Sequence, residues 1–540
     1  MMASKILRVG AYRGEEKSFS TIRDKYRRIL SWSISHPGKI ITIALMVLFL
    51  SLLLVLPIGK EFMPAVNDRM FMIGISLPEG TKLEETDKVA KEVEKILMSL
   101  PELETEQVIV GIAGGGSGQE TAASHQLMVI VRLVDAQERR RTTPEVIEEV
   151  REKISILPQI ERADFLNLQT MSMGGGEGKP VEIKVFGKNL PTLAELSRDV
   201  RGRIEGIEGL RDVEETFAYG SPEMQVKFDR EKSARYGLSV VDVASVLEAA
   251  IAGKVATRFE EQGEEIDVRV RLREEDRFSL SDIRKISILT PKGIEVQLGD
   301  IARIHKSIGP SEILRENQKR KASVLANISQ RRDLGHIMEE VRDRLAGFKM
   351  PQGYFIEYGG SYKSMMESYG SLGIAFLLAM LLVYMIMAAQ FESLLHPFVI
   401  MFSIPFALVG VLWTLFLTGV NLSVNAIVGV VMLSGIVVNN GIVLIDCINR
   451  LRREGVEKTE AIIRATQIRF RPILMTTSTT ILGVAPMVFM RGSGAEMRRP
   501  LALAVMGGLL FGTMITLIIM PAVYSALDNL SSKMKKRFHE

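Results

Sequence analysis

The twenty residues from Ile40 to Gly59 carry no charge. Coiled as an α-helix, such a run is about 30 Å long, enough to cross the hydrocarbon core of a bilayer. Five further charge-free runs crowd the last third of the chain: Ser368 to Phe391, Ser393 to Gly419, Val420 to Ile445, Pro472 to Met490 and Pro500 to Leu527. In the run Ser393 to Gly419 only His396, at its mouth, is titratable. The pattern predicts six spans and one large water-exposed excursion, Lys60 to Glu367. Average composition hides this, since 47% hydrophobic and 24% charged residues would suit a soluble protein. The 68 basic and 64 acidic side chains leave a net charge of +4, too balanced for a nucleic-acid binder. A single cysteine, Cys447, excludes a disulfide framework and a multi-cysteine metal site. Nearly forty residues precede the first run and no small-residue cleavage site follows it, so it reads as an uncleaved anchor.

Lysine and arginine in the short flanks set the expected orientation. Those before the first span, between the fourth and fifth, and after the sixth number 20; the opposite short loops hold only Arg491, Arg498 and Arg499. Both termini are therefore expected in the cytoplasm, with the excursion outside.

The excursion alternates short strands with amphipathic helices. Strands are expected at Met70–Leu77, Gln126–Val134, Ala163–Leu168, Val181–Phe186, near Val213, and at Ala322–Ile328 and Phe355–Tyr358. Capping boxes at Thr81/Glu84 and Thr142/Glu145 are expected to open two helices, and two more carry Leu193 to Ile207 and Ile337 to Leu345. Single crossover helices between strands suggest βαβ units in small mixed sheets. Between Gly220 and Pro310 the rhythm changes to strands at Glu223–Phe228 and Ile266–Leu272 with a helix from Ser239, which reads as an inserted subdomain.

No G-x-S-x-G, P-loop or H-E-x-x-H motif occurs, so no enzyme and no cofactor is expected. The glycines Gly114, Gly115, Gly116 and Gly118 lack a following lysine and read as a flexible loop. Met171 and Met173 form a thioether pair of the kind that binds soft metals. Methionine is abundant here, 28 in all, and usually fills apolar gaps, which is the preferred reading; no metal site is expected.

Polar side chains inside spans are costly and mark function by default. Asn439 and Asn440 lie in the fourth span. The fifth opens with Arg469, Arg471 and Pro472 and runs on through Thr476, Thr477, Ser478, Thr479 and Thr480. The competing reading is that the hydroxyls bond back to helix carbonyls and the asparagines join helices. No Asp, Glu, Lys or Arg lies deep within any of the six runs. A proton-driven machine needs a group that changes charge within the membrane, so the residues alone describe something transporter-like but not self-powered.

The sequence resembles the carboxy-terminal half of a resistance-nodulation-division (RND) efflux transporter of the hydrophobe/amphiphile multidrug type. Four stretches carry the resemblance: Pro57-Ile-Gly-Lys-Glu-Phe-Met-Pro64, Phe398 to Val424, Leu433 to Asp446, and Arg469-Phe-Arg-Pro-Ile-Leu-Met-Thr-Thr477 running on to Pro486. The resemblance implies an α+β membrane protein whose water-exposed region is built from ferredoxin-like porter subdomains. In that layout 1–37 is a basic cytoplasmic leader and 38–59 the first span. Residues 60–178 form one porter subdomain, and 179–219 with 318–366 a second. A docking subdomain occupies 220–317, spans two to six occupy 367–527, and a cytoplasmic tail 528–540. It further implies an inner-membrane permease, trimeric, working with a periplasmic adaptor and an outer-membrane channel and exchanging protons for amphiphilic compounds. Cleft-facing candidates are Phe165, Met171, Met173, Gly114 and Gly115.

Departures from the family pattern are equally specific. The usual chain is twice this length, and the relay aspartates belong to the missing half. Asn439 stands where the multidrug prototypes have lysine, and Asn440, Arg469 and Thr476 match the surrounding relay positions. Met171 and Met173 fall near one methionine of the heavy-metal subfamily's site, but the partner position corresponds to Ile73, which argues against copper export. The leading expectation is a half-transporter pairing with a complementary amino-terminal half. Alternatives are a homodimer, a non-pumping scaffold or sensor, and a fragment of an interrupted gene; a protein-export accessory subunit is disfavoured by the inserted subdomain. The Met1-Met2 start and basic leader fit a genuine subunit.

Overall fold

The computed structural model describes residues 26–539, apart from 65, 79, 114–120, 137, 168–178, 217–218, 262, 278, 311–312, 330–331, 491 and 493. The described chain begins with helix α1 (Tyr26–Ser35), turns through 103° and continues as α2 (Pro37–Leu53). Pro37 sits in the first turn of α2, where its missing N–H would have had no helical partner.

A first α/β layer follows: β1 (Met70–Ser76), α3 (Leu83–Met98), β2 (Leu103–Ala113), β3 (Thr121–Leu133), α4 (Thr143–Ser155) and β4 (Arg162–Asn167). Its sheet order is β2-β3-β1-β4, and every neighbouring pair is antiparallel. This corrects the expectation of a mixed sheet here. Each crossover helix carries the chain past an intervening strand, so the strands that run parallel never become neighbours, as in a split βαβ arrangement. Alternation along β1 buries Phe71, Ile73 and Ile75 against Val89, Val93 and Leu97 of α3 and Val146, Val150 and Ile154 of α4. The box at α4 forms as the sequence indicates, with the Glu145 carboxylate accepting the Thr142 N–H at 2.7 Å. The Thr81/Glu84 box does not: Thr81 donates its hydroxyl to the Pro78 carbonyl at 2.6 Å in a turn, and α3 starts after Lys82 without a side-chain cap.

The second layer opens with β5 (Val181–Gly187), α5 (Leu190–Ile204) and β6 (Leu210–Glu215). Phe217–Arg320 then forms a separate compact unit. It contains β7 (Tyr219–Phe228), α6 (Val240–Ile251), a hairpin of β8 (Lys254–Glu261) and β9 (Glu264–Val270), a hairpin of β10 (Ser287–Leu289) and β11 (Glu295–Gln297), and β12 (Ala302–Pro310), which pairs with β7. Its core holds Leu238, Val243, Ile288, Val296, Leu298 and Ile304. The second layer resumes with β13 (Lys319–Ile328), α7 (Leu334–Leu345) and β14 (Phe355–Gly359). In its sheet β13 lies between β6 and β5, and β14 pairs antiparallel with β5. Ion pairs join the two layers: Lys179, 7% exposed, reaches Asp164 at 2.8 Å and Glu214 at 2.9 Å, and Arg151 reaches Asp212 at 2.5 Å.

The chain ends in α8 (Gly360–Phe391), α9 (Leu395–Thr418), α10 (Val424–Arg453), α11 (Lys458–Phe489) and α12 (Ala495–His539). Among the described residues α8 to α11 are each long and apolar enough to cross a bilayer. The bent pairs α1–α2 and the two parts of α12, which bends by 50°, bring the number to six. Helices α9 and α12 meet through glycine: a Cβ on Gly410 would lie 2.3 Å from the Gly507 carbonyl oxygen, the close backbone approach that small residues permit between spans.

The segment that follows α2 is stitched into this block. Leu422 donates its N–H to Gly59 (2.8 Å) and accepts that of Glu61 (3.1 Å). Tyr369 of α8 donates its phenol to the Leu422 carbonyl at 2.6 Å, and Asn421 donates its amide to the Glu61 carboxylate at 2.9 Å. Asp333, the N-cap of α7, accepts the Lys60 N–H at 2.9 Å. Burial pushes the Glu61 carboxyl above its ordinary range, with Asp333 adding to the shift against the Asn421 hydrogen bond. Burial also raises Asp333, but hydrogen bonds from His336 and from the Lys60 and His336 backbones hold it below the usual value. The folded protein therefore holds the Glu61 proton more tightly than the unfolded chain. That contribution is full below the ordinary carboxylate value and is lost as pH rises through the raised folded value. Glu61→Gln is expected to gain thermal stability relative to the parent as pH rises across this window. Thermal unfolding at a series of pH values checks this, and parallel profiles for the two proteins would refute it.

Candidate functional site

Polar side chains converge where α10, α11 and α12 meet. A cavity of about 10 Å³ is lined by Val437, Asn440 and Leu444 of α10, Ile473 of α11, and Thr513, Thr516 and Leu517 of α12. That is room for about one water. The Thr513 and Thr477 hydroxyls share a hydrogen bond of 3.1 Å that links α12 to α11. The buried Thr516 hydroxyl has no partner among the described residues, and neither has the buried Nε of Arg469. None of the lining side chains is ionisable. None of them takes up a proton near neutral pH.

Of the four relay-vicinity residues read from the sequence, only Asn440 reaches this cavity. Asn439 is exposed on α10, one helical step away. Thr476 is also exposed; it donates to the Ile473 carbonyl and accepts from Thr480, both at 2.9 Å. Thr479 likewise bonds back to Met475, so the reading of hydroxyls turned onto their own helix holds for these positions. Arg469 is half-buried. Sequence reasoning singled out Thr476 where Thr477 is the one that turns inward, and it missed Thr513 and Thr516. Those two are the only hydroxyl residues between Pro500 and Pro521, which was the available signal.

A second candidate surface is the open face of the first sheet, opposite its helices. There Met72 pairs with Ile130 and Leu166, and Gly74 with Met128, which also faces Ile109. These side chains are half-buried and apolar. Phe165, expected to face a cleft, is instead 8% exposed in the core of that layer, with the Arg151 guanidinium 4.4 Å above its ring. Strand alternation sends Leu166, not Phe165, to the open face. Gly114, Gly115, Met171 and Met173 lie outside the described residues. No group of three or more His, Cys, Asp or Glu able to hold a metal occurs among the described residues.

A model of the AcrB/AcrD/AcrF family matches residues 1–528. The cobalt-zinc-cadmium resistance protein CzcA of Cupriavidus metallidurans is 30% identical over 510 residues, 93% of this chain and 48% of that protein. The nickel-cobalt-cadmium resistance protein NccA of Alcaligenes xylosoxydans xylosoxydans is 28% identical over 544 residues, 99% of this chain and 50% of that protein. A heavy metal efflux pump in its crystal form II matches with a TM-score of 0.81 at 25% identity, over 95% of this chain and 53% of that chain. The chain thus spans about half the length of the curated relatives it matches. These relatives are named for metal cations, so the multidrug subtype expected from the motifs is not supported.

The Thr477–Thr513 contact gives a quantitative expectation. A double-mutant cycle of Thr477→Val and Thr513→Val should return a coupling of about 0.6 kcal/mol, the average for hydrogen bonds between membrane helices. Zero coupling in thermal or denaturant unfolding would show that the hydroxyls do not pair.

Proposed function

Because this chain belongs to the AcrB/AcrD/AcrF family, a family of RND transporters rather than enzymes, we propose that it is one half of an RND efflux permease. In this reading a complementary half supplies the acidic groups of a proton relay. The observation that carries the proposal is the exposure of Asn439 on α10 and Thr476 on α11. Only 33% of the apolar window of α10 and 11% of that of α11 is buried. Polar side chains on such faces gain hydrogen-bond partners when a second helical bundle covers them.

Heavy-metal cations are the first cargo class, on the strength of the relatives' names. Amphiphilic compounds are the second, favoured by the apolar open face around Met72, Met128 and Leu166. In the proposed layout, 60–178 and the pair 179–219 and 318–366 act as porter subdomains and 220–317 as the docking subdomain. The permease sits in the inner membrane with cytoplasmic termini, as a trimer with a periplasmic adaptor and outer-membrane channel.

Purification from the native membrane should recover a second RND half carrying paired intramembrane aspartates. Co-expression of the two halves should raise host tolerance of zinc, cobalt or cadmium, and dye accumulation reports the amphiphile reading in the same cells. Asn439→Ala should abolish the gain while stability changes by no more than about 0.5 kcal/mol, as for an exposed site. Recovery of this chain alone, with no gain in tolerance or dye efflux, would favour a non-pumping scaffold.

A further inference from the structure

Helix α1 lies across the end of the helical block, and its own sequence splits into functionally distinct sides. At 3.6 residues per turn, Tyr26, Leu30, Ser33 and Ile34 share one side, and all four are buried. Pro521 of α12 has no N–H to give the Leu517 carbonyl, and the Tyr26 phenol donates there instead at 2.9 Å. Ser33 donates to the next carbonyl, that of Ile518, at 3.1 Å, and the Tyr26 ring stacks on Phe470 at 4.7 Å. The buried side thus clamps α12 at its proline.

The remaining sides are exposed among the described residues. Ile29 and Trp32, each 49% exposed, occupy one flank. His36, at the 103° turn, stacks on Trp32 at 5.7 Å, so this flank is the one from which α2 departs into the bilayer. Arg28 lies at the outer edge beside Trp32, and Lys39 is exposed in the first turn of α2. Neither has an acidic partner among the described residues. Arg27 falls on the opposite flank. An amphipathic tryptophan at headgroup depth with cations beside it is the arrangement that meets anionic phospholipid.

We propose that α1 is a lipid-anchored clamp. Trp32 and Ile29 enter the leaflet on the side of α1, and Arg28 and Lys39 bind the phosphates of anionic phospholipid there, fixing the helix that holds α12 at Pro521. The proposal does not depend on the transport reading. Trp413 is the only other tryptophan. It donates to the Ser51 hydroxyl at 3.0 Å, and Ser51 also bonds to Val47, so Trp413→Phe leaves Ser51 satisfied and Trp32 as the sole reporter.

The single-tryptophan chain is reconstituted whole into vesicles containing equal fractions of phosphatidylglycerol and phosphatidylcholine, with one or the other brominated high on its acyl chains. Brominated phosphatidylglycerol should quench Trp32 the more strongly, with a local enrichment of about fivefold per engaged cation. Arg28→Gln and Lys39→Gln should each reduce that preference, and Arg27→Gln should keep it while controlling for folding. Absence of quenching by either lipid would overturn the interfacial position. Equal quenching by both, or an equal loss on Arg27→Gln, would overturn the assigned headgroup contacts.

Discussion

The backbone bridge between Lys60 and Leu422 fixes where the water-exposed layers meet the helices. The chain leaves α2 at this join and returns at α8 some three hundred residues later. Here that join is made of main-chain hydrogen bonds, which do not swing as long side chains do. Tyr369 clasps it from α8, Asn421 and Glu61 pair across it, and Asp333 hands it to the first turn of α7. Gly59 is required at this point, since a Cβ there would lie 2.5 Å from the Asn421 side-chain oxygen. Polar contacts thus run without a gap from α8 and the loop before α10 to the first turn of α7.

Within the helices the governing requirement is that backbone groups in lipid find partners inside the protein. Prolines inside α11 and α12 each remove a donor. At Pro521 the missing donor is replaced by Tyr26, from a helix nearly five hundred residues earlier in sequence. Most threonine hydroxyls of α11 meet the same requirement by turning back on their own helix. Against that background the unpartnered atoms of Arg469 and Thr516 stand out. They belong to α11 and α12, both of which pack against α10, the helix that carries Asn439 and Asn440.

The spans were legible because a charge-free run is a property of sequence alone. The strands β1, β3, β4 and β5 were legible from alternation, to within a few residues at their ends, except that β3 starts five residues before the expected Gln126. Sheet order was not, because alternation reports which side of a strand is buried and says nothing about its neighbour. Phe165 shows the same limit at a single site: its apolar character fits a cleft and a core equally, and only the register of β4 against β1 decides. Thr81 and Glu84 have the spacing of a capping box, yet Pro78 offers the Thr81 hydroxyl a closer carbonyl. The join at Glu61 was invisible for a different reason. Its partners come from three segments far apart in sequence, and each looks ordinary by itself.

The intramembrane site then bears on how such a chain could do work. Moving a proton across a membrane against solute export requires a group whose charge changes inside the low-dielectric region. Asn440, Thr477, Thr513 and Thr516 can orient water and pass hydrogen bonds, but none changes charge near neutral pH. Asparagine at 439 has the further consequence that a carboxylate brought against this face would meet an amide rather than an ammonium. Its pKa would then be set by burial and by neighbours other than a lysine that itself titrates. In the proposed half-permease, a relay completed by a partner half would thus load and release its proton on the partner's carboxylate, with Asn439 and Asn440 supplying non-titrating amides.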